Sequence, residues 1–238
     1  MSEWAARRFW EKASVAPSGA RFSVRLDDRP VRTPAKAPLV VPTRELASSI
    51  AAEWDAQSGK IDPRDMPLTR AANAAIDKVV PQQAEVVSML ADYGDADLTC
   101  YRAEAPAELV ARQAAAWDPL LDWATDCFGA RLVPVTGVVH SPQNATSLAR
   151  LKQPLMAMSA FELAGFHDLV SLSGSLVIGL AASRNFLPID VLWARSRIDE
   201  DWQEQKWGRD DEASAAAAQK RRGFLEAAKF YRLSTINS

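Results

Sequence analysis

Near the N-terminus apolar and polar residues alternate: Phe22, Val24 and Leu26 are interleaved with Arg21, Ser23 and Arg25. Successive side chains of a strand point to opposite faces, so this spacing predicts a strand with one wet face. Asp27-Asp28 predicts a turn after it, and Val31 and Leu39-Val40-Val41 predict two more short strands. Pro30, Pro34, Pro38 and Pro42 confine these strands to edges or ends, because proline has no N–H to give to a ladder. The stretch from Arg7 to Pro42 reads as a small β-rich unit.

The period changes at Thr43, an N-cap candidate. Behind it Leu46, Ile50 and Trp54 recur every four residues, with Gly59 as a stop. Leu68, Ala72, Ile76 and Val79 make a second helical stripe; Val86, Leu90 and Tyr93 make a third, between Pro81 and Gly94. A longer stripe starts near Pro106 and carries Leu109, Val110, Gln113, Trp117, Leu121 and Phe128, with Pro119 predicting a kink or break. Residues 132–139 read as extended, and helices are predicted over 144–160, 161–173, 175–183, 188–207 and 211–233. The expected class is α+β, with a small β-rich N-terminal domain over 1–60 and a larger all-helical C-terminal domain over 61–238.

Composition excludes several classes. The 238 residues are 48% hydrophobic and 24% charged, with 10 Gly and 14 Pro, which rules out collagen-like, mucin-like and disordered chains. With 28 basic and 30 acidic residues the net charge is -2, so the broad positive field of a non-specific nucleic-acid binder is missing. Cys100 and Cys127 form neither a disulfide framework nor a zinc pattern, which points to a reducing compartment. The segment Met1 to Trp10 has no hydrophobic signal core. The most apolar stretch, 169–182, is interrupted by Ser171, Ser173, Gly174 and Ser175 and falls short of the roughly 18 to 20 apolar residues of a membrane span. A soluble cytoplasmic protein without membrane insertion is expected.

Chemistry finds little purchase. His140 adjoins Ser141 and Pro142 in a loop and His167 lies among apolar residues, neither beside a ligand or nucleophile pattern. GxSxG, GxxxxGK[ST] and GxGxxG are absent, and Ser173-Gly174-Ser175 reads as a tight helix junction. Asp27-Asp28 and Asp210-Asp211-Glu212 fit a turn and a helix N-terminus better than general acid–base work. The basic tail holds Lys220, Arg221, Arg222, Lys229 and Arg232 with Phe224, Phe230 and Tyr231 among them; Phe224, Ala227, Ala228 and Tyr231 fall at core spacing, favouring a solvated amphipathic helix over a nucleic-acid site. No cofactor or metal is expected. An enzyme using His140 or His167, or a nucleic-acid accessory protein using the basic tail, stand as alternatives.

The segment 188–207 breaks the one-sided pattern. Taken as one helix, it projects Ile189, Trp193, Ser196, Glu200, Gln203 and Trp207 from one face, with Glu204 close by. The opposite side carries Val191, Arg195, Ile198 and Trp202, so one face is free to serve a partner. Eight tryptophans against three tyrosines add weight, since large amphipathic aromatics anchor interfaces. Trp54, Trp117 and Trp123 are expected in the core, whereas Trp193, Trp202, Trp207, Gln203, Glu204 and Glu200 are the candidate partner-binding residues. Glu200 alone also fits a surface acid paired with Arg197 or Arg195.

Ordered blocks along the chain carry a resemblance. They are Thr33-Pro34-Ala35-Lys36 with Pro38-Leu39, Ala52-Glu53-Trp54-Asp55, and Met66-Pro67-Leu68-Thr69-Arg70 with Asn73 and Ile76-Asp77. Asp97-Leu98-Thr99-Cys100-Tyr101-Arg102, Trp117-Asp118-Pro119-Leu120-Leu121, Ser173-Gly174-Ser175-Leu176 and the stretch 199–208 follow. Together they resemble the Atp-twelve family of ATP synthase assembly factors of α-proteobacteria and mitochondria. The resemblance implies a small β-containing domain before a larger helical one, no enzymatic activity, and a chaperone that holds the new α subunit of the catalytic head until the β subunit replaces it. It also implies a functional acid at Glu200 or a neighbouring acid. The chain begins almost directly at the domain, without an Arg-rich transit peptide, which suits a bacterial cytoplasm. The free protein is expected to be monomeric.

Overall fold

The computed structural model describes residues 7–235; the Met1–Ala6 part of the opening segment lies outside the described residues. Packing divides the chain into two compact units. The first takes the described residues up to Gln83 together with Ser159–Gly165 and those from Lys229 onward; the second takes Ala84–Met158 and Phe166–Ala228. This division follows packing, whereas a cut at residue 60 follows the Gly59 stop after the first helical stripe.

In the first unit β1 (Ala13–Ser18), β2 (Arg21–Leu26), β3 (Arg29–Pro30) and β4 (Val40–Val41) form an antiparallel sheet in which β2 pairs with each of the others. Val24 and Leu26 are buried and Arg21 and Arg25 exposed, as the alternation requires. Asp27 turns the chain into β3 at φ 52°, a left-handed conformation that Asp tolerates better than most residues. Its carboxylate also accepts the N–H groups of Glu11 and Lys12 at 3.1 and 3.0 Å.

The helix α1 (Arg44–Asp55) starts where Thr43 Oγ1 accepts the Leu46 N–H at 3.1 Å. It ends four residues before Gly59 and packs on β1 and β2. Next comes α2 (Pro67–Ala74), which continues as a π turn over Ala75–Val79. Met66 offers it no side-chain cap; instead Glu53 accepts the N–H groups of Leu68 and Thr69 at 2.7 and 2.8 Å and the Thr69 hydroxyl at 2.7 Å. Asp77 likewise accepts the Thr33 hydroxyl at 2.6 Å and the Ala35 N–H at 3.0 Å. The core joins Val24, Leu39, Leu46, Ile50 and Leu68 with Phe161 and Phe230.

The remaining elements are α3 (Gln83–Asp92), β5 (Tyr101–Arg102), α4 (Ala107–Phe128), β6 (Val135–Thr136), α5 (Ala145–Met156), α6 (Ala160–Ser173), α7 (Leu176–Ser183), α8 (Ile189–Arg195), α9 (Ile198–Trp207) and α10 (Asp211–Ser234). The second unit is helical apart from the parallel pair β5–β6, whose β6 lies within the segment read as extended. Of the kink or break expected at Pro119, the break does not occur: α4 runs unbroken through it. The missing N–H leaves only the Ala115 carbonyl without its i+4 donor, and Ala115 is exposed to water, while buried Trp117, Leu120 and Leu121 hold the helix on both sides. Gly129, at φ 65°, ends it in the left-handed region.

In α7, Leu176, Val177, Ile178, Gly179, Leu180 and Ala181 are all buried. Gly179 permits the close approach of α6: a Cβ there would meet Val170 Cγ2 at 2.6 Å. An N-terminus with no access to water must satisfy its free N–H groups internally. Ser175 Oγ accepts the Ile178 N–H at 3.0 Å, and the Asp97 carboxylate accepts the Val177 N–H at 3.0 Å and the Ser175 hydroxyl at 2.7 Å. The same carboxylate takes the N–H and hydroxyl of Thr99 at 3.0 and 2.7 Å. Asp97 is fully buried; desolvation pushes its pKa up, against the pull of these donors. Replacing it by Asn puts an NH2 group against N–H and O–H donors. Asp97→Asn is expected to cost about 2–4 kcal/mol, read as a lower midpoint in urea unfolding. An unchanged midpoint would show that the donors find other acceptors.

Candidate functional site

The segment 188–207 is two helices rather than the single one its period predicts. Ser196 Oγ donates to the Trp193 carbonyl at 2.7 Å, and the Trp117 indole N–H donates to the Arg195 carbonyl at 2.8 Å. A continuous helix would use that Arg195 carbonyl for the Asp199 N–H. With it taken, the chain leaves helical geometry at Arg197 (φ -117°, ψ 13°) and restarts as α9.

This break separates the candidate residues. Trp193 is buried, packed on Phe224 with ring centroids 5.5 Å apart, and Ser196 is buried beside it, so neither belongs to an open face. Within α9, Gln203, Glu200, Trp207 and Glu204 fall in one arc of about 100°. All four are exposed, Trp207 to 79%. On other sides of the helix, Asp199 Oδ1 accepts from buried Gln113 Nε2 at 2.6 Å, and Gln205 Oε1 accepts from Arg112 Nη1 at 2.9 Å, both from α4. Trp202 is half-buried under the Lys206 ammonium, 4.6 Å from its ring centroid. One side of α9 is thus held by α4 and the other is left open.

The open arc is acidic with one large aromatic. Glu200 Oε1 accepts from Arg197 Nη1 at 2.6 Å, the surface ion pair that its sequence neighbours allow, and Glu204 Oε1 lies 3.9 Å from Arg209 Nε. Asp199, Glu200 and Asp201 occupy the first turn, where negative charge complements the helix dipole. Burial pushes the Asp201 pKa up, opposed by Arg197 and Arg112. After Gly208 the start of α10 is exposed too, with Ala213, Ala215, Ala216 and Ala218 facing solvent.

Other candidates settle into structural positions. His140 Nδ1 meets the Tyr101 hydroxyl at 3.1 Å and its Nε2 lies 3.2 Å from Asp95, while His167 Nδ1 meets Asp168 at 2.8 Å. Cys100 is buried and its thiol is pushed up to about 12 by desolvation. No group of three His, Cys, Asp or Glu side chains among the described residues is arranged to hold a metal ion. In the basic tail Phe224, Ala227 and Phe230 are buried while Lys220, Arg221, Arg222, Lys229 and Arg232 are exposed, the arrangement of an amphipathic helix. No helix among the described residues is long and apolar enough to cross a membrane. Sequence reasoning missed the role of two polar residues here: Gln113 stands there only as a polar position in an apolar stripe, and Asp97 only as the first residue of a block shared with the family.

Residues 7–125 match the ATP12 chaperone protein family. Two solved structures of Atp12 from Paracoccus denitrificans, one of them an Asp-to-Lys mutant, are each 46% identical, with TM-scores of 0.94 and 0.95 over 98% of this chain and 100% of theirs. A protein of Agrobacterium tumefaciens is 38% identical with a TM-score of 0.92, covering 96% of this chain and 86% of its own. The mitochondrial protein atp12 of Schizosaccharomyces pombe is 25% identical over 214 residues, 85% of this chain and 74% of its own length. The fold and these likenesses define an α+β protein of the chaperone class. The chain belongs to the ATP12 chaperone protein family.

The two exposed-versus-buried tryptophans separate by substitution. Trp207→Ala is expected to leave thermal unfolding within about 0.5 kcal/mol of the parent, and Trp193→Ala to cost about 3–5 kcal/mol. Equal losses in circular-dichroism melts would contradict the division of the segment into a buried helix and an open one.

Proposed function

We propose that this protein is an assembly chaperone that binds the unassembled α subunit of the F-type ATP synthase catalytic head and releases it for assembly with the β subunit. Membership of the ATP12 chaperone family carries this reading, and the open arc of α9 supports it. A subunit destined for a ring exposes side faces before assembly, and apolar faces of that kind pair wrongly with copies of themselves. A holder that must later leave does better with polar and charged groups around an aromatic anchor than with a permanent apolar interface. Glu200, Gln203, Glu204 and Trp207 form that surface; of the other two candidates, Trp202 lies on another side of α9 and Trp193 is buried beneath Arg197, the partner of Glu200. The protein works by binding rather than by catalysis, without cofactor, as a monomer in the cytoplasm.

Co-expression with the α subunit followed by gel filtration tests the reading. A one-to-one complex and an increased soluble fraction of α are expected, since binding protects exposed surface. Glu200→Gln is expected to weaken capture by roughly tenfold to a hundredfold, the worth of one charge-assisted contact, with thermal unfolding unchanged. Glu204→Gln, on the same arc, should weaken it less. If α aggregates equally with and without the protein, the reading fails; normal capture by Glu200→Gln would return that acid to the plain surface pair with Arg197.

A further inference from the structure

On the side of α9 away from the open arc, α4, α8 and the start of α9 border a shallow, open groove of about 390 Å³ lined by Arg112, Ala116, Val191, Ala194, Arg195 and Ile198. Arg195 is half-buried, its Nη1 is covered from solvent, and among the described residues its guanidinium has no hydrogen-bond or ion-pair partner. A guanidinium cannot escape by losing its proton at ordinary pH. Desolvation already pulls its pKa down with nothing acting in return. A buried N–H of a charged group left unpaired costs more than almost any other surface defect.

The groups facing it do not supply the missing charge. Asp190, on the groove's rim, is paired with Arg221 from α10. Asp199 takes Gln113, and Arg112 gives one N–H to Gln205, a neutral acceptor. The groove therefore presents two guanidinium groups beside an apolar wall, where Val191 is 39% exposed.

We propose that this groove receives an acidic side chain of the client protein, an Asp or Glu flanked by apolar residues, whose carboxylate pairs with Arg195 while its neighbours cover Val191 and Ala194. The inference rests on the chaperone reading above and names the chemistry of the client it holds. Planar guanidinium and carboxylate match as a two-bond fork, which a compact ammonium does not reproduce. A carboxylate in a polypeptide fits better than a free anion because the apolar wall also needs covering. The client is thus gripped on both sides of α9: by acids on the open arc and by arginine in the groove.

Two variants test it, each with the α subunit co-expressed and capture measured by pull-down and gel filtration. Arg195→Gln removes the charge; capture is expected to fall at least about tenfold while the melting temperature stays level or rises, because an unpaired buried charge is gone. Arg195→Lys is expected to restore only part of the capture. Ala116→Glu supplies a carboxylate from α4 to the same groove and should raise the melting temperature while blocking the client, which keeps the question answerable if Arg195→Gln folds poorly. Wild-type capture by Arg195→Gln, or by a folded Ala116→Glu, overturns the proposal and leaves the chaperone reading intact. A wild-type melting temperature that rises with inorganic phosphate, with capture unaffected by the variants, would make the groove a simple anion site and overturn it too. Failure of the unmodified protein to capture α overturns both.

Discussion

A buried carboxylate without a cation organises the helical unit. Asp97 accepts four hydrogen bonds, two from Thr99 and two from the junction that starts α7. Burial alone would drive such a group out of the interior or neutralise it; oriented N–H and O–H dipoles replace the water it gives up. Since α7 is buried along most of its length, its N-terminus has no water to turn to. Asp97 solves two problems at once, its own solvation and that of the helix end. From α7 the dependence runs outward: α7 packs on α4 and α8, and α4 sends Trp117 to the Arg195 carbonyl and Gln113 to Asp199. The break that frees α9 is therefore made by α4.

The same device recurs in the first unit on a smaller scale. Glu53 caps α2 from α1, and Asp77 holds the loop of Thr33 and Ala35. Each acid lies far along the chain from the groups it binds, and each acts on backbone N–H groups rather than on a basic side chain. These acids fall in the very blocks that carry the family resemblance: Glu53 with Leu68 and Thr69, Asp77 with Thr33, Asp97 with Thr99 and Ser175. The resemblance is thus largely a record of how loops are tied to helices, which is why it reports the fold more directly than the partner site.

Periodicity made the strands and most helices legible because each has one dominant buried face: Val24 and Leu26 in β2, Leu46 and Ile50 in α1, Phe224 and Ala227 in α10. It misled at Pro119 and at Ser196-Arg197, for related reasons. Local rules put a kink or break at Pro119, but buried Trp117, Leu120 and Leu121 keep α4 from breaking. They put none at Ser196, yet an indole N–H from a distant residue takes the carbonyl that the next turn needs. Neither outcome is encoded within a few residues of where it happens. The arc of Glu200, Gln203, Glu204 and Trp207 survived the error because those four lie wholly within α9, whereas Trp193 was joined to them only by extrapolating through the break. Arg195 was legible only as an alternative partner for Glu200, a place that Arg197 takes; an arginine on a helix is ordinary until its surroundings are seen.

Breaking the helix has a consequence that an unbroken one could not provide. A straight helix from Pro188 to Trp207 would have to bury Trp193 and expose Trp207 from what is, by period, one face. Splitting it lets α8 commit Trp193 to the interior and lets α9 turn an acidic arc outward, while leaving Arg195, at the end of α8, in the groove beside the break. A rigid junction anchored by Trp117 and Gln113 holds these pieces in fixed relation before any partner arrives, so little ordering entropy remains to be lost on binding. The cost is local: a guanidinium without a counter-charge and a tryptophan in water. Both are defects in the isolated chain, and a polypeptide bringing a carboxylate and an apolar surface, as proposed above, would remove both.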